Sequence, residues 1–287
     1  MKTPDAQAVH KIGVIGAGAW GTALAKHLAE KGLNVRLWAY ERDVVHAINN
    51  KHENHVFLPG VMLPGTLIAT PSLAEAVGGC DGIVFVVPSH VTRQVLRDLA
   101  GCLSNPVPLV SATKGIEEDT SHLMTQVMDT ILPPAMQRMT MALSGPSFAT
   151  ELSLSKPTAV CLAGRDVALV RQFQQVFMTP AFRVYADTDL LGVQLGGALK
   201  NVMAIAAGIV DGLELGLNAR AGLITRGLAE IVRLGVAMGA DPRTFYGLSG
   251  VGDLVLTCTG PLSRNHAVGV RLGRGEPLAV ILGSMQA

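Results

Sequence analysis

Apolar residues in the first two thirds of the chain fall in short unbroken runs, separated by segments with helical spacing. Strand-like runs stand at 11–15, 35–38, 67–69, 83–87, 109–111, 139–143, 158–162 and 182–185, and the one at 83–87 is apolar without interruption. They predict strands buried on both faces, the condition of a parallel sheet covered by helices. Segments 22–31, 43–50, 73–77 and 166–178 read as the intervening helices. Ala23, Leu24, Leu28 and Ala29 share one side of the first, Gly32 is its expected C-cap, and Ser72 stands where it caps the third. The alternation predicts an α/β architecture, a Rossmann-like doubly wound sheet.

Near Asp187 the pattern changes. From Asp189 onward no strand-like run remains, and two long apolar helices are expected at about 191–210 and 219–238. The second carries Leu223, Leu228, Ile231, Leu234 and Met238 along one flank. The chain therefore divides into a sheet domain at 1–188 and an all-α domain at 189–287. A length of 287 residues suits two domains at about 150 residues each. The stretch 190–217 is long enough to raise the question of a membrane span. Lys200, Asn201, Asp211 and Glu214 interrupt it, so the expectation is a helix buried in protein, without membrane insertion.

Composition narrows the function classes. Hydrophobic residues make up 49% and charged residues 16%, which requires a large core and suggests apolar surface covered by another domain or subunit. A net charge of +1 argues against bulk binding of nucleic acid or acidic lipid, so any anion must be met by a few placed cations. Cys80, Cys102, Cys161 and Cys258 are far apart and form no C-x-x-C; neither a zinc site nor a disulfide framework is expected, and a cytoplasmic setting is. No signal-peptide order opens the chain. The histidines show no ligand spacing, so no metal is expected, and no Gly-x-Ser-x-Gly elbow supports a nucleophilic serine.

The chemistry starts at Gly16-Ala17-Gly18-Ala19-Trp20-Gly21, which follows a strand and opens a helix. In that context Gly16 permits a tight turn, Gly18 admits a pyrophosphate to the backbone, and Gly21 lets helix and strand pack closely. A kinase glycine loop shares the spelling but joins two strands, and no kinase lysine strand or catalytic loop is present. Lys200 lies in Gln194-Leu195-Gly196-Gly197-Ala198-Leu199-Lys200-Asn201, almost without polar neighbours. Desolvation of such a lysine favours proton transfer near neutrality; the alternative is a lysine snorkelling at the helix edge. Asn201 is expected to be buried with it, and the small residues 196–198 to admit another backbone or a ligand. Asp253, in Gly250-Val251-Gly252-Asp253, either accepts from a lysine or substrate hydroxyl or caps the following helix. Ser263-Arg264-Asn265 reads as a capped helix start offering an arginine and free N–H groups to an anion, or as an ordinary cap with a solvated arginine. Lys114 is a loop candidate after a strand, or a solvated lysine.

Together these residues resemble one family, the bacterial NAD(P)-dependent sn-glycerol-3-phosphate dehydrogenases. The shared motifs are the glycine turn, Val86-Val87-Pro88-Ser89, Ala112-Thr113-Lys114-Gly115, Ser144-Gly145-Pro146-Ser147-Phe148-Ala149, the Lys200 helix, Asn218-Ala219-Arg220, Gly250-Val251-Gly252-Asp253-Leu254 and Ser263-Arg264-Asn265. They follow the family's order over nearly the whole chain. The resemblance implies two domains with an interdomain active site, and reversible reduction of dihydroxyacetone phosphate to sn-glycerol 3-phosphate for glycerophospholipid synthesis. It implies Lys200 as general acid/base, Lys114, Gly145, Ser147 and Asp253 around the substrate, and Ser263, Arg264 and Asn265 on its phosphate. Gly16, Gly18, Ala19, Trp20, Gly21, Tyr40, Lys114, Ala149 and Arg264 would touch the cofactor, and a homodimer is expected. Glu41 suits a ribose diol and Arg42 a 2′-phosphate, so NAD and NADP both stand. Other dehydrogenases of the superfamily and a cofactor-sensing module are the competing readings. Family members usually continue past residue 287, so the helical domain is expected to be incomplete at its C-terminus, with apolar faces of 191–210 and 219–238 uncovered and turnover low.

Overall fold

A computed structural model describes residues 9–285. An eight-stranded sheet organises the first part of the chain. Its strands are β1 (Lys11–Ile15), β2 (Asn34–Trp38), β5 (Ile68–Thr70), β6 (Gly82–Phe85), β7 (Leu109–Ser111), β8 (Thr140–Ser144), β9 (Thr158–Gly164) and β10 (Phe182–Asp187), while β3 (Glu53–Asn54) and β4 (Leu58–Met62) form a separate antiparallel hairpin. The order is β10-β9-β8-β7-β6-β1-β2-β5. Pairing is parallel between β1 and both β2 and β6, and likewise for β2–β5, β6–β7, β7–β8 and β9–β10. The order reverses about β1, and ligands of doubly wound sheets sit at the strand carboxyl ends beside such a reversal.

The apolar runs form strands because both faces are covered. Ile12, Val14, Val35, Leu37, Val84 and Val110 are all buried in one cluster with Ala23, Leu24 and Leu28 of the helix Ala19–Glu30. Ile15, Ile83, Phe85 and Leu109 point into a second cluster with Leu96, Leu99, Val127 and Met128. The first helix starts at Ala19, earlier than expected, because Gly18 rather than a side chain ends the turn. Lys31 is its C-cap, and Gly32 follows at φ +94°. The hairpin and the helices Thr92–Ala100 and Met124–Ile131 were not legible from periodicity.

The chain separates into two compact units, one of residues 1–143 and 147–190 and one of 144–146 and 191–287. The second contains no strand among its described residues after 190 and is built on the helices Leu190–Gly212 and Leu217–Ala237. Leu190–Gly212 is long and apolar enough to cross a membrane, and 56% of its most apolar window is buried within the protein. On Leu217–Ala237 the buried positions are Gly227, Ile231 and Gly235, with Gly235 pressed on the Phe245 ring, while Leu234 and the following Met238 are exposed. One expectation is corrected here. Asn201 is half-buried rather than buried, since the helix turns it and the exposed Val202 away from the packed side.

Candidate active site

The first cluster of site residues is the glycine turn at the carboxyl end of β1. Gly16 has φ +115°, and a Cβ there would stand 2.6 Å from the Val86 carbonyl oxygen. A Cβ on Gly21 would collide with the Gly16 carbonyl, so only glycine lets the helix sit this close to the turn. Gly18 faces open space, with nothing within 4 Å of a Cβ position, and it begins the helix without a side-chain cap. The first-turn N–H groups thus lack a side-chain acceptor, at the end of the helix where the dipole favours an anion. The buried Trp20 Nε1 has no hydrogen-bond partner in the protein. An open glycine, an uncapped helix start and an orphaned donor fit a dinucleotide pyrophosphate. The helix Ala149–Ser153 packs on Ala19–Glu30, which brings Ala149 alongside. Tyr40 is 81% exposed just beyond β2, edge-on to Trp38. Glu41 and Arg42 follow it, both exposed.

Next along the sheet edge, Thr113 Oγ1 donates to the Val87 carbonyl at 2.8 Å, and Gly115 lies against Ser89, where a Cβ would stand 2.7 Å from the serine Cβ. Half-buried Lys114 is therefore held between two contacts that tie its loop to the one after β6. Arg93 grips Glu117 with two bonds of 2.7 Å, and Thr120 also donates to this carboxylate. The Arg93 guanidinium and the Thr120 hydroxyl hold the Glu117 carboxyl down at about 2.

The decisive geometry lies in the helical unit. Lys200 is 7% exposed and Asp253 is fully buried; Lys200 Nζ donates to Asp253 Oδ1 at 2.5 Å and to Thr257 Oγ1 at 2.8 Å. Asp253 opens the helix Asp253–Thr259 without acting as its cap, which decides between the two readings open from sequence. Lys200 is therefore not isolated on its apolar helix: a buried carboxylate and a hydroxyl both meet its Nζ. The contact depends on Gly196, where a Cβ would collide with the Ser249 carbonyl oxygen. Ser249 Oγ in turn donates to the Ser144 carbonyl at 3.2 Å, at the end of β8 and just before Gly145 at φ +143°. Ser147 follows two residues later.

Ser263 caps the helix Arg264–Gly273 by accepting from the His266 N–H at 3.2 Å. Arg264 is exposed and Asn265 half-buried, together at the start of that helix. Backbone-close packing seats it, because Cβ atoms at Gly208 and Gly212 would meet the His266 and Val270 carbonyls, and those at Gly269 and Gly273 the Ile205 and Ile209 carbonyls. Asp211 Oδ2 accepts from His266 Nε2 at 2.8 Å and from Arg220 at 2.7 Å. Burial opposes the charge of Asp211, but the bonds from Arg220 and His266 outweigh it and hold its carboxyl below the usual range. Thr257 and Ser249 escaped the sequence reading, which met Asp211 only as a charge interrupting the apolar stretch. Thr257 stands four residues after Asp253, on the same helix face, and that spacing was the available signal.

Comparison with known proteins agrees with these features. Residues 11–170 match the family model described as NAD-dependent glycerol-3-phosphate dehydrogenase N-terminus, and residues 189–287 match its C-terminus counterpart. A glycerol-3-phosphate dehydrogenase [NAD(P)+] of Geobacter sulfurreducens is 57% identical over 276 residues, 96% of this chain and 82% of that protein. One from Koribacter versatilis is 50% identical, with the same shares covered. Among solved structures, the glycerol-3-phosphate dehydrogenase of Coxiella burnetii is 40% identical with a TM-score of 0.92, covering 97% of this chain and 85% of that one.

Proposed function

The chain belongs to the NAD-dependent glycerol-3-phosphate dehydrogenase family and catalyses the reversible reduction of dihydroxyacetone phosphate to sn-glycerol 3-phosphate with NADH or NADPH; from that premise we propose that Lys200 is its general acid/base. The observation that carries this reading is the buried Lys200–Asp253 pair at 2.5 Å. The nicotinamide, when bound, supplies the hydride. Lys200 gives its Nζ proton to the carbonyl oxygen as that oxygen gains charge, and takes the hydroxyl proton back in the oxidation direction. Asp253 and Thr257 hold Nζ in one place, so the proton is delivered at a fixed position.

The other assignments follow the same logic. Gly16, Gly18 and Gly21 with Ala19 and Trp20 would hold the pyrophosphate, with Ala149 beside them and Tyr40 at the adenosine ribose. Lys114, Gly145, Ser147 and Asp253 would line the substrate. Arg264, Asn265 and the helix start capped by Ser263 would take its phosphate, supported by free first-turn N–H groups beside a forked cation. We also infer a cytoplasmic homodimer that makes sn-glycerol 3-phosphate for glycerophospholipid synthesis without entering the membrane. The free thiols at all four cysteines suit a reducing compartment.

A spectrophotometric assay with dihydroxyacetone phosphate and each reduced cofactor tests the reaction. Oxidation of either cofactor supports it. Binding of NADPH without turnover on any ketone phosphate would instead mark a sensing module, and turnover confined to other carbonyl acids would mark another dehydrogenase.

A further inference from the structure

The β3–β4 hairpin has no part in the site described so far, yet its residue Asn54 is fully buried and reaches the glycine turn. Asn54 Nδ2 donates to the Ala17 carbonyl at 2.8 Å and to Thr22 Oγ1 at 2.8 Å, while its Oδ1 accepts from the Phe57 N–H at 3.1 Å. Thr22 Oγ1 closes the triangle by donating to the same Ala17 carbonyl at 3.1 Å. The amide cannot be turned round, because one side meets acceptors and the other a donor. On the other flank of the turn, the Gly16 N–H donates to the Trp38 carbonyl at 3.1 Å.

The consequence lies in the peptide between Ala17 and Gly18. A trans peptide is planar, with its C=O and N–H pointing in opposite directions. Two donors drawing the Ala17 oxygen inward therefore aim the Gly18 N–H outward, toward the open face at Gly18. We propose that Asn54 is a positioning residue for cofactor binding, which presets the Ala17–Gly18 peptide so that the Gly18 N–H meets the dinucleotide pyrophosphate. This rests on the reading of the glycine turn as the dinucleotide site. A preset donor contributes affinity because no peptide rotation is needed on binding.

The test is calorimetric titration of NADH and NADPH into wild type, Asn54→Leu and Asn54→Ser, with thermal unfolding and steady-state kinetics alongside. Loss of one well-aimed phosphate contact is expected to weaken cofactor Kd by about 10- to 100-fold in Asn54→Leu. The cofactor KM should rise with it, while kcat at saturating cofactor and the KM for dihydroxyacetone phosphate stay as in wild type. Asn54→Ser, which keeps a donor, should lose less. A folded Asn54→Leu with wild-type Kd would overturn the proposal. So would an unfolded Asn54→Leu together with a folded Asn54→Ser that binds normally, since Asn54 would then serve folding alone. Wild type that binds neither nucleotide would instead remove the dinucleotide reading beneath it.

Discussion

Replacing Lys200 by Met removes the proton donor proposed above and the counter-ion of a buried carboxylate, and the two effects are separable. Asp253 is fully buried and has Lys200 Nζ at 2.5 Å, so the variant leaves a charge without its counter-ion. Breaking one side of a buried pair costs about 3–5 kcal/mol. The molecule can limit that cost by protonating the carboxyl. For an ordinary aspartate at pH 7 this takes about three pH units at 1.36 kcal/mol each, or roughly 4 kcal/mol. Lys200→Met is therefore expected to lose about 3–4 kcal/mol at pH 7. Loss of the counter-ion penalises the charged form of a buried carboxyl in the folded variant, so the deficit is present above about 4 and shrinks as pH falls toward it. Adding Asp253→Asn removes the charge and should restore most of the stability, yet kcat should stay down by roughly 10²–10⁴, the usual share of a general acid. Urea unfolding followed by circular dichroism at several pH values, with initial rates on each variant, measures both. Equal stability of the single and double variants would refute the charge argument, and near-normal turnover at saturating substrate would refute the assignment of Lys200.

Arg264→Ala should weaken binding of dihydroxyacetone phosphate by roughly 1.5–3 kcal/mol, the scale of a charge-assisted hydrogen bond, and leave unphosphorylated dihydroxyacetone nearly unaffected. Equal losses for both ketones in competitive binding would place Arg264 outside phosphate recognition. Glu117, held at about 2 by Arg93 and Thr120 against 4.5 ordinarily, has a depressed folded pKa and so contributes stability that is lost as pH falls from about 4.5 toward 2. Glu117→Gln should abolish that part of the acid dependence, on the order of 1–3 kcal/mol, and an unchanged acid unfolding profile would contradict it.

The sequence by itself determined whatever depends on neighbours along the chain. Eight strand-like runs became the eight strands of one sheet; the central ones are covered on both faces because they are apolar on both, while the edge strand β10 exposes Arg183 and Tyr185. The glycine turn was legible for a similar reason: Gly21 is forced by the Gly16 carbonyl five residues away and Gly16 by its own φ of +115°, although the Val86 carbonyl that also crowds Gly16 comes from far along the chain. Ser72, Asp166 and Ser263 sit at helix starts with their own caps, each bonded within three residues. The C-terminal helices were legible too, although which positions of 217–237 are buried was not, since glycines make two of the three buried positions. Tertiary structure decided what depends on partners far along the chain. Whether Lys200 snorkels or is buried, and whether Asp253 caps or pairs, turned on a contact across 53 residues. Nothing near Asn54 in sequence marks it: its amide meets Ala17, 37 residues away. A buried polar group must find a partner wherever the fold brings one, and local spacing carries no record of which one that will be.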